Sequence, residues 1–530
     1  MLPSAHQDSF CRDHLPPRDQ WPALLPVPYP DRLNCGAALL QGALRSVGPD
    51  APCLLPQDPA SPAWTYGMLA SRASEIASVL TSELGLVPGN RVLLRGPNNP
   101  WMVACWFGVV LAGGVVVATM PLLRSAELEA ICEIASVRLA LCDDRFTAEL
   151  AGVSDVRTVT FGALAASCAR QPSSVTPVPT AADDVALIAF TSGTTGRPKA
   201  AMHFHSDVLA VADTFSAHVL KPLPSDVFAG TPPLAFTFGL GALLIFPIRA
   251  GASVLLLERA SPAELADHIA SRGVTVVSTA PTAYRAMLAA GCADQLRGLR
   301  RPVSAGETLP GSVWQSFHDA TGVAIIDGIG STELLHIFIS ASDTLIRPGS
   351  TGLPVPGYVA SVLSASGSPV PDGSPGLLAV RGPTGCKYLA DVRQLDYVRD
   401  GWNITGDTYV RDADGYFWYQ ARSDDMIVSS GYNIGGPEVE EVLLGHPGVA
   451  ECGVVGVPDA ERGQIVKAFV VLTPGFDDGP ALVTELQNLV KAKIAPYKYP
   501  RAISFVPELP RTNTGKLQRF KLREHRQEQP

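Results

Sequence analysis

Residues 185–205 read VALIAFTSGTTGRPKAAMHFH. An apolar run, Val185 to Phe190, enters a loop with two glycines, four hydroxyls and one lysine, Thr191 to Lys199, and the alternating segment Lys199 to His205 leaves it. Strand, loop, strand is the natural reading. Glycines let backbone N–H groups approach oxyanions, Thr191, Ser192, Thr194 and Thr195 supply hydroxyl donors, and Lys199 adds a point charge, so the loop suits a phosphate chain. The spacing argues against an ordinary P-loop NTPase. Gly193 and Gly196 enclose only two threonines, and Lys199 runs into Ala200 and Ala201 rather than a hydroxyl residue and a helix. A solvated Ser/Thr-rich hairpin has the same composition, so the loop alone leaves both readings open.

On either side the chain alternates helical and strand patterns. Ala250 to Leu257 reads as a strand, Pro262 to Ser271 as a helix and Val274 to Ser278 as the next strand, which is α/β logic. Trp101 to Leu123 carries no charge over about a bilayer's width. Gly113-Gly114 divides it, so it reads as a buried helix, a turn and a β-branched strand, Val115 to Ala118. Pro172 to Pro179 and Ser364 to Pro375 are turn-rich connectors.

After Arg422 a Gly-rich stretch, SSGYNIGGPEVEE, precedes strands at Ala450 to Val457 and Ile465 to Leu472. A helix follows from about Ala481 to Ile494, with Leu482, Leu486, Val490 and Ile494 on one face. The expected class is α/β: a large N-terminal domain of mixed sheets flanked by helices, residues 1–423, and a small mobile α+β domain, residues 424–530.

Bulk properties narrow the function. The chain has 530 residues, 46% hydrophobic and 17% charged, enough for a large core in more than one domain. A net charge of -9 provides no basic field for a nucleic-acid backbone. Ten cysteines without a CxxC pair suggest neither zinc nor a disulfide framework. The N-terminus does not read as a signal peptide, and the expected location is cytoplasmic, without a membrane anchor.

With four further stretches in order, GIGSTE at 328–333, TGD at 405–407, RSDD at 422–425 and PRTNTGK at 510–516, the loop resembles that of the acyl-adenylate-forming superfamily of acyl- and aryl-CoA ligases, luciferases and adenylation domains. The resemblance runs from about residue 60 to the end. It implies two half-reactions: carboxylate plus ATP to acyl-AMP, then thiol attack to a thioester. By resemblance, Thr191 to Lys199 closes over the β- and γ-phosphates, Thr332 contacts phosphate and Glu333 holds Mg²⁺, where one carboxylate suffices if ATP supplies other ligands. Asp407 grips the ribose diol with Arg422 as its partner. Ser304, Ala305, Gly306 and Glu307, with Asp327, Gly328 and Ile329, wall the adenine slot. Lys516 reaches the substrate carboxylate and α-phosphate. Asp424 is the hinge, and Ser430, Gly431 and Tyr432 line the pantetheine tunnel. Taken singly, Glu333 reads as a surface acid, TGD as a turn and Lys516 as a solvated lysine.

Three positions depart from the family pattern: Ile329 replaces a common aromatic, Ala421 a glycine and Leu378 a glutamate. A silent relative of this fold would be expected to lose Lys516, Glu333 or Lys199, and all three are present.

The acid pocket falls between Pro232 to Gly241 and the GIGSTELLHIFIS stretch, which most resembles that of benzoate- and 2-aminobenzoate-CoA ligases. On that likeness Phe236, Thr237, Phe238, Ile329, Gly330, His336 and Ile337 surround a flat ring. A lone histidine on an apolar face is also commonly just a core residue. Thr237 stands where benzoate ligases tend to carry alanine, and its hydroxyl would accept from an ortho-amino group, favouring 2-aminobenzoate over benzoate. The implied partners are a small aromatic acid and coenzyme A, or a carrier-protein phosphopantetheine. Arg462, Lys467, Lys498 and Arg501 are candidate cations for CoA phosphates. The expected assembly is a monomer or homodimer.

Overall fold

The computed structural model describes residues 2–191, 198–422, 425–429, 432–459, 462–494, 496–512 and 516–524. Four sheets organise these residues. A six-stranded sheet runs in the order Arg157–Thr160, Leu139–Cys142, Arg91–Arg95, Val115–Thr119, Val185–Thr191 and Lys199–Phe204. Its strands pair in parallel except the last, which is antiparallel to Val185–Thr191.

The uncharged stretch divides as its glycines dictate. The helix Pro100–Leu111 is capped by Asn99, whose side chain accepts from Met102 N–H at 3.0 Å, and is buried over nearly its whole length. Gly113, at φ 73°, turns the chain into the strand Val115–Thr119. Among the described residues no helix is long and apolar enough to cross a membrane.

A nine-stranded sheet contains the parallel run Ile326–Gly330, Arg301–Ser304, Val276–Thr279, Val227–Gly230, Ser253–Leu255 and Pro52–Leu55. The helix Pro262–Ser271 has the expected bounds, closed by a Ser261–Glu264 capping box. The strand expected from Ala250 is shorter. Ala250 ends the helix Phe246–Ala250, Gly251 takes φ 73° as its left-handed cap, and pairing begins at Ser253. The next strand is Val276–Thr279, two residues later than the apolar run begins. A third sheet, antiparallel, pairs Pro375–Arg381 and Phe417–Arg422 with Trp402–Arg411.

The C-terminal sheet pairs Val449–Asp459 with Gly463–Leu472 antiparallel, and Ala502–Phe505 joins in parallel. The helix Pro480–Lys493 buries Leu482, Leu486 and Val490 against this sheet, in a cluster with Val454, Val466 and Val470, and Ile494 packs at its margin. The cluster is separate from the larger core of the N-terminal sheets. All ten cysteines are buried free thiols.

Candidate functional site

The strands flanking the loop pair directly, with Thr191 opposite Lys199. Thr191 and Lys199 are thereby fixed at its two ends, while Ser192, Gly193, Thr194, Thr195 and Gly196 lie outside the described residues. The Lys199 ammonium sits 5.3 Å from the centroid of the Tyr388 ring.

Glu333 and Thr332 lie in a turn between the antiparallel strands Ile326–Gly330 and Ile337–Ser340. Leu335, at φ 70°, closes the turn in a conformation unfavourable for a leucine. Glu333 is buried, and its Oε1 accepts from the Tyr388 hydroxyl at 2.5 Å. The second oxygen has no partner among the described residues. The Thr332 carbonyl accepts from His203 Nε2 at 2.9 Å. A carboxylate with one oxygen fixed and the other free suits a hard divalent cation whose remaining ligands are phosphate and water.

The segments expected to wall the adenine meet by strand register, with Ser304 beside Asp327. Ser304 is buried and Asp327 half-buried with its Oδ1 shielded from solvent; among the described residues neither Asp327 Oδ1 nor Ser304 Oγ makes a well-formed hydrogen bond, although the Ser304 hydroxyl is near enough to ease the Asp327 charge. Burial pushes the Asp327 carboxyl up to about 8. Two shielded polar atoms without a well-formed hydrogen bond, next to Ala305, Gly306, Gly328 and Ile329, would suit a base edge with its own donors and acceptors. Arg422 Nη1 bonds Asp407 Oδ1 at 3.2 Å across the paired strands. Gly406 between them has φ 78°, and a Cβ there would come within 2.9 Å of Arg422 Nη2, so the TGD glycine makes this close approach. Lys516 is exposed, and its Cε lies 3.9 Å from where a Gly306 Cβ would be. The C-terminal unit therefore presents Lys516 to the segment that carries Gly306.

Of the residues expected to hold the acid, Phe236 and Thr237 line a small cavity, partly open to solvent, with Trp106, Leu234 and Leu240; Phe238, Ile329, Gly330, His336 and Ile337 are not part of its lining. His336 is 3% exposed and sits among Phe215, Phe238 and Phe246, ring centroids 4.6–5.8 Å away. Among the described residues neither ring nitrogen makes a well-formed hydrogen bond, and burial, partly offset by the Phe238 backbone, lowers its pKa to about 3, keeping it neutral. A Cβ at Gly241 would meet His336 Cδ2 at 2.3 Å, so only glycine admits the imidazole there. Ile337 is buried and packs over Gly328, while Gly330 is exposed.

Asp424 and Gly431 lie outside the described residues, as does Ser430. Of the cations considered for CoA, Lys498 pairs with Glu438, and Arg501 donates to the Tyr497 carbonyl and covers the Tyr499 ring. Sequence reasoning missed Tyr388, Lys387, Asp207, His203, Trp106 and Arg511. One signal was available: Lys387-Tyr388 stands in the otherwise uncharged run GPTGCKYLA.

Residues 46–388 match the AMP-binding enzyme family and residues 438–516 the AMP-binding enzyme C-terminal domain. The chain is 37% identical to the benzoate–CoA ligase of Thauera aromatica over 477 residues, covering 87% of this chain and 90% of that one. Its fold superposes with TM-score 0.89 on the anthranilate CoA ligase AuaEII in complex with anthranoyl-AMP, at 34% identity, covering 94% and 98% of the two chains. For the benzoate CoA ligase from Burkholderia xenovorans LB400 the TM-score is 0.85 at 31% identity, covering 92% and 99%. The chain belongs to the AMP-binding, acyl-adenylate-forming enzymes, and is closely related to aryl-CoA ligases. It is an ATP-dependent, AMP-forming acid–thiol ligase of the acyl- and aryl-CoA synthetase class, with CoA as co-substrate.

Proposed function

We propose that this aryl-CoA ligase activates 2-aminobenzoate as its adenylate and transfers it to CoA. The observation that carries the reading is the apolar setting of two polar groups: the Thr237 hydroxyl lines an apolar cavity with Phe236 and Trp106, and the neutral His336 imidazole packs among Phe215, Phe238 and Phe246. Aromatic walls suit a planar acid, and two neutral acceptors suit an amino group on its ring. The likeness to an anthranilate CoA ligase supports it.

In the first half-reaction two anions approach each other, and the chain's task is to hold them in line and offset their charge. Lys199 and the Thr191–Gly196 loop hold the terminal phosphates, with Thr332 at the same group. A magnesium ion on Glu333 would screen the polyphosphate. Asp407 and Arg422 hold the ribose, and Asp327 and Ser304, with Ala305, Gly306, Glu307, Gly328 and Ile329, wall the base. Lys516 stabilises charge on the oxygens joined in the adenylate. Rotation at Asp424, the boundary between residues 1–423 and 424–530, then brings Gly431 to the thiol. Free CoA is the acceptor favoured over a carrier protein, and the protein acts as a monomer or homodimer in the cytoplasm.

The test is mass spectrometry of products from Mg·ATP, CoA and competing 2-aminobenzoate, benzoate, salicylate and a medium-chain fatty acid. Predominant 2-aminobenzoyl-CoA is expected. Predominant benzoyl-CoA would remove the ortho-amino reading, and acyl-AMP without thioester would point to a carrier protein.

A further inference from the structure

Residues 384–389 form an extended segment on the edge of the strand Lys199–Phe204. Met202 N–H donates to the Lys387 carbonyl at 2.8 Å, Leu389 N–H to the Ala200 carbonyl at 2.9 Å, and Ala201 bridges Tyr388. This register binds the segment to the strand that leaves the phosphate loop, and its side chains alternate between two tasks.

Tyr388 lies between two residues of the adenylation machinery. Its ring face meets the Lys199 ammonium, and its hydroxyl donates to Glu333. Thr384 Oγ1 donates to the Leu334 carbonyl at 2.8 Å, one residue beyond Glu333. On the other side, the fully buried Lys387 ammonium donates to Asp207 at 3.1 Å and to the Gly385 carbonyl at 2.9 Å. Asp207 lies 3.8 Å from His203 Nδ1, and His203 Nε2 donates to the Thr332 carbonyl. The turn that bears Thr332 and Glu333 is therefore held at three consecutive residues from outside itself. That support is what a turn with a left-handed leucine at its end requires.

We propose that Tyr388 is a positioning residue for the adenylation half-reaction: it couples Lys199 at the phosphate loop to the carboxylate of Glu333, with Lys387, Asp207 and His203 as the rigid support behind it. The inference rests on the adenylate-forming reading of the site. A phenol that donates to one carboxylate oxygen leaves the other aimed at the phosphates and denies the side chain its alternative rotamers. The thioester half-reaction starts from a finished adenylate and needs neither the terminal phosphates nor the metal, so it does not depend on this contact.

Tyr388→Phe keeps the ring beside Lys199 and removes the donor. Adenylation, followed by pyrophosphate release, is expected to fall about 10–100-fold, while thioester formation from supplied aryl-AMP and CoA changes by less than about twofold. Mn²⁺ binding in the presence of a non-hydrolysable ATP analogue, followed by electron paramagnetic resonance, is expected to weaken in parallel. The double variant Asp207→Asn/Lys387→Met, which removes both buried charges together, is expected to show the same split with a smaller fall. Equal loss in both half-reactions, or unchanged adenylation and Mn²⁺ binding in Tyr388→Phe, would overturn the proposal. If the wild-type protein adenylates no aromatic acid, the functional reading fails, and the Mn²⁺ titration still decides the role of Tyr388.

Discussion

The Arg511 guanidinium lies 3.1 Å from the Glu307 carboxylate, a contact that joins the C-terminal unit to the segment that follows the strand Arg301–Ser304. Arg511 also pairs with Glu451 at 2.6 Å inside its own unit, so it is anchored before it reaches across. Five residues later Lys516 approaches Gly306. Under the proposed function, the pair is a latch for the orientation in which Lys516 lies beside Gly306. Glu441 reinforces it by accepting from the Gly311 and Ser312 N–H groups, at 2.9 and 2.7 Å, at the start of the helix Gly311–Thr321. Arg511→Ala should therefore slow adenylation by about 3–10-fold, the scale of one partly exposed ion pair, with thioester formation from supplied adenylate unchanged or faster. Separate single-turnover measurements of the two halves check this.

Asp327 makes a prediction in pH. Burial raises its carboxyl from the model-peptide 3.8 to about 8, so the folded protein holds a proton that the unfolded chain releases. Its contribution to stability is full below about 4 and is lost as pH rises to about 8. Asp327→Asn should flatten this fall. Thermal unfolding of the nucleotide-free protein across that range reads it out: the variant should gain most over wild type at the alkaline end.

Thr237→Ala should shift selectivity from 2-aminobenzoate toward benzoate by about 5–15-fold in kcat/KM, the worth of one neutral hydrogen bond. Competition between the two acids is the measurement, and an unchanged ratio would show that the hydroxyl does not read the ring.

Leu486 is fully buried in the C-terminal cluster. Leu486→Ala should destabilise that unit by about 2–5 kcal/mol. Calorimetry is expected to show the loss in the transition that carries the C-terminal unit, with the larger core unaffected.

Local chemistry made much of this protein legible. Ser261 with Glu264 fixes the start of the helix at Pro262, and Gly113 breaks an uncharged stretch that would otherwise pass for a membrane span, because caps and turns are settled within a few residues. The resemblance of five motifs pointed to the family and implied Asp407 with Arg422 at one sugar and Ser304 with Asp327 around one base; strand register is what sets each pair side by side. The Ala250 strand was misjudged because a helix cap and a strand share Gly and Ala, and only the left-handed turn at Gly251 separates them.

What sequence did not contain is the set of contacts made across long separations. Tyr388 reaches Glu333 over 55 residues, Lys387 reaches Asp207 over 180, and Arg511 reaches Glu307 over 204. Periodicity reports which face of an element is apolar, so a lysine in GCKYL registers only as an interruption. Its partner is chosen by strand register and by which segments the sheets bring together. Most of the elements were legible in the sequence, and its resemblance to a family gave the reaction class and the residues proposed to touch the substrates. The tertiary structure decided which side chains hold those residues in place, because a buried charge or a strained turn is tolerated only where distant parts of the chain supply its partners.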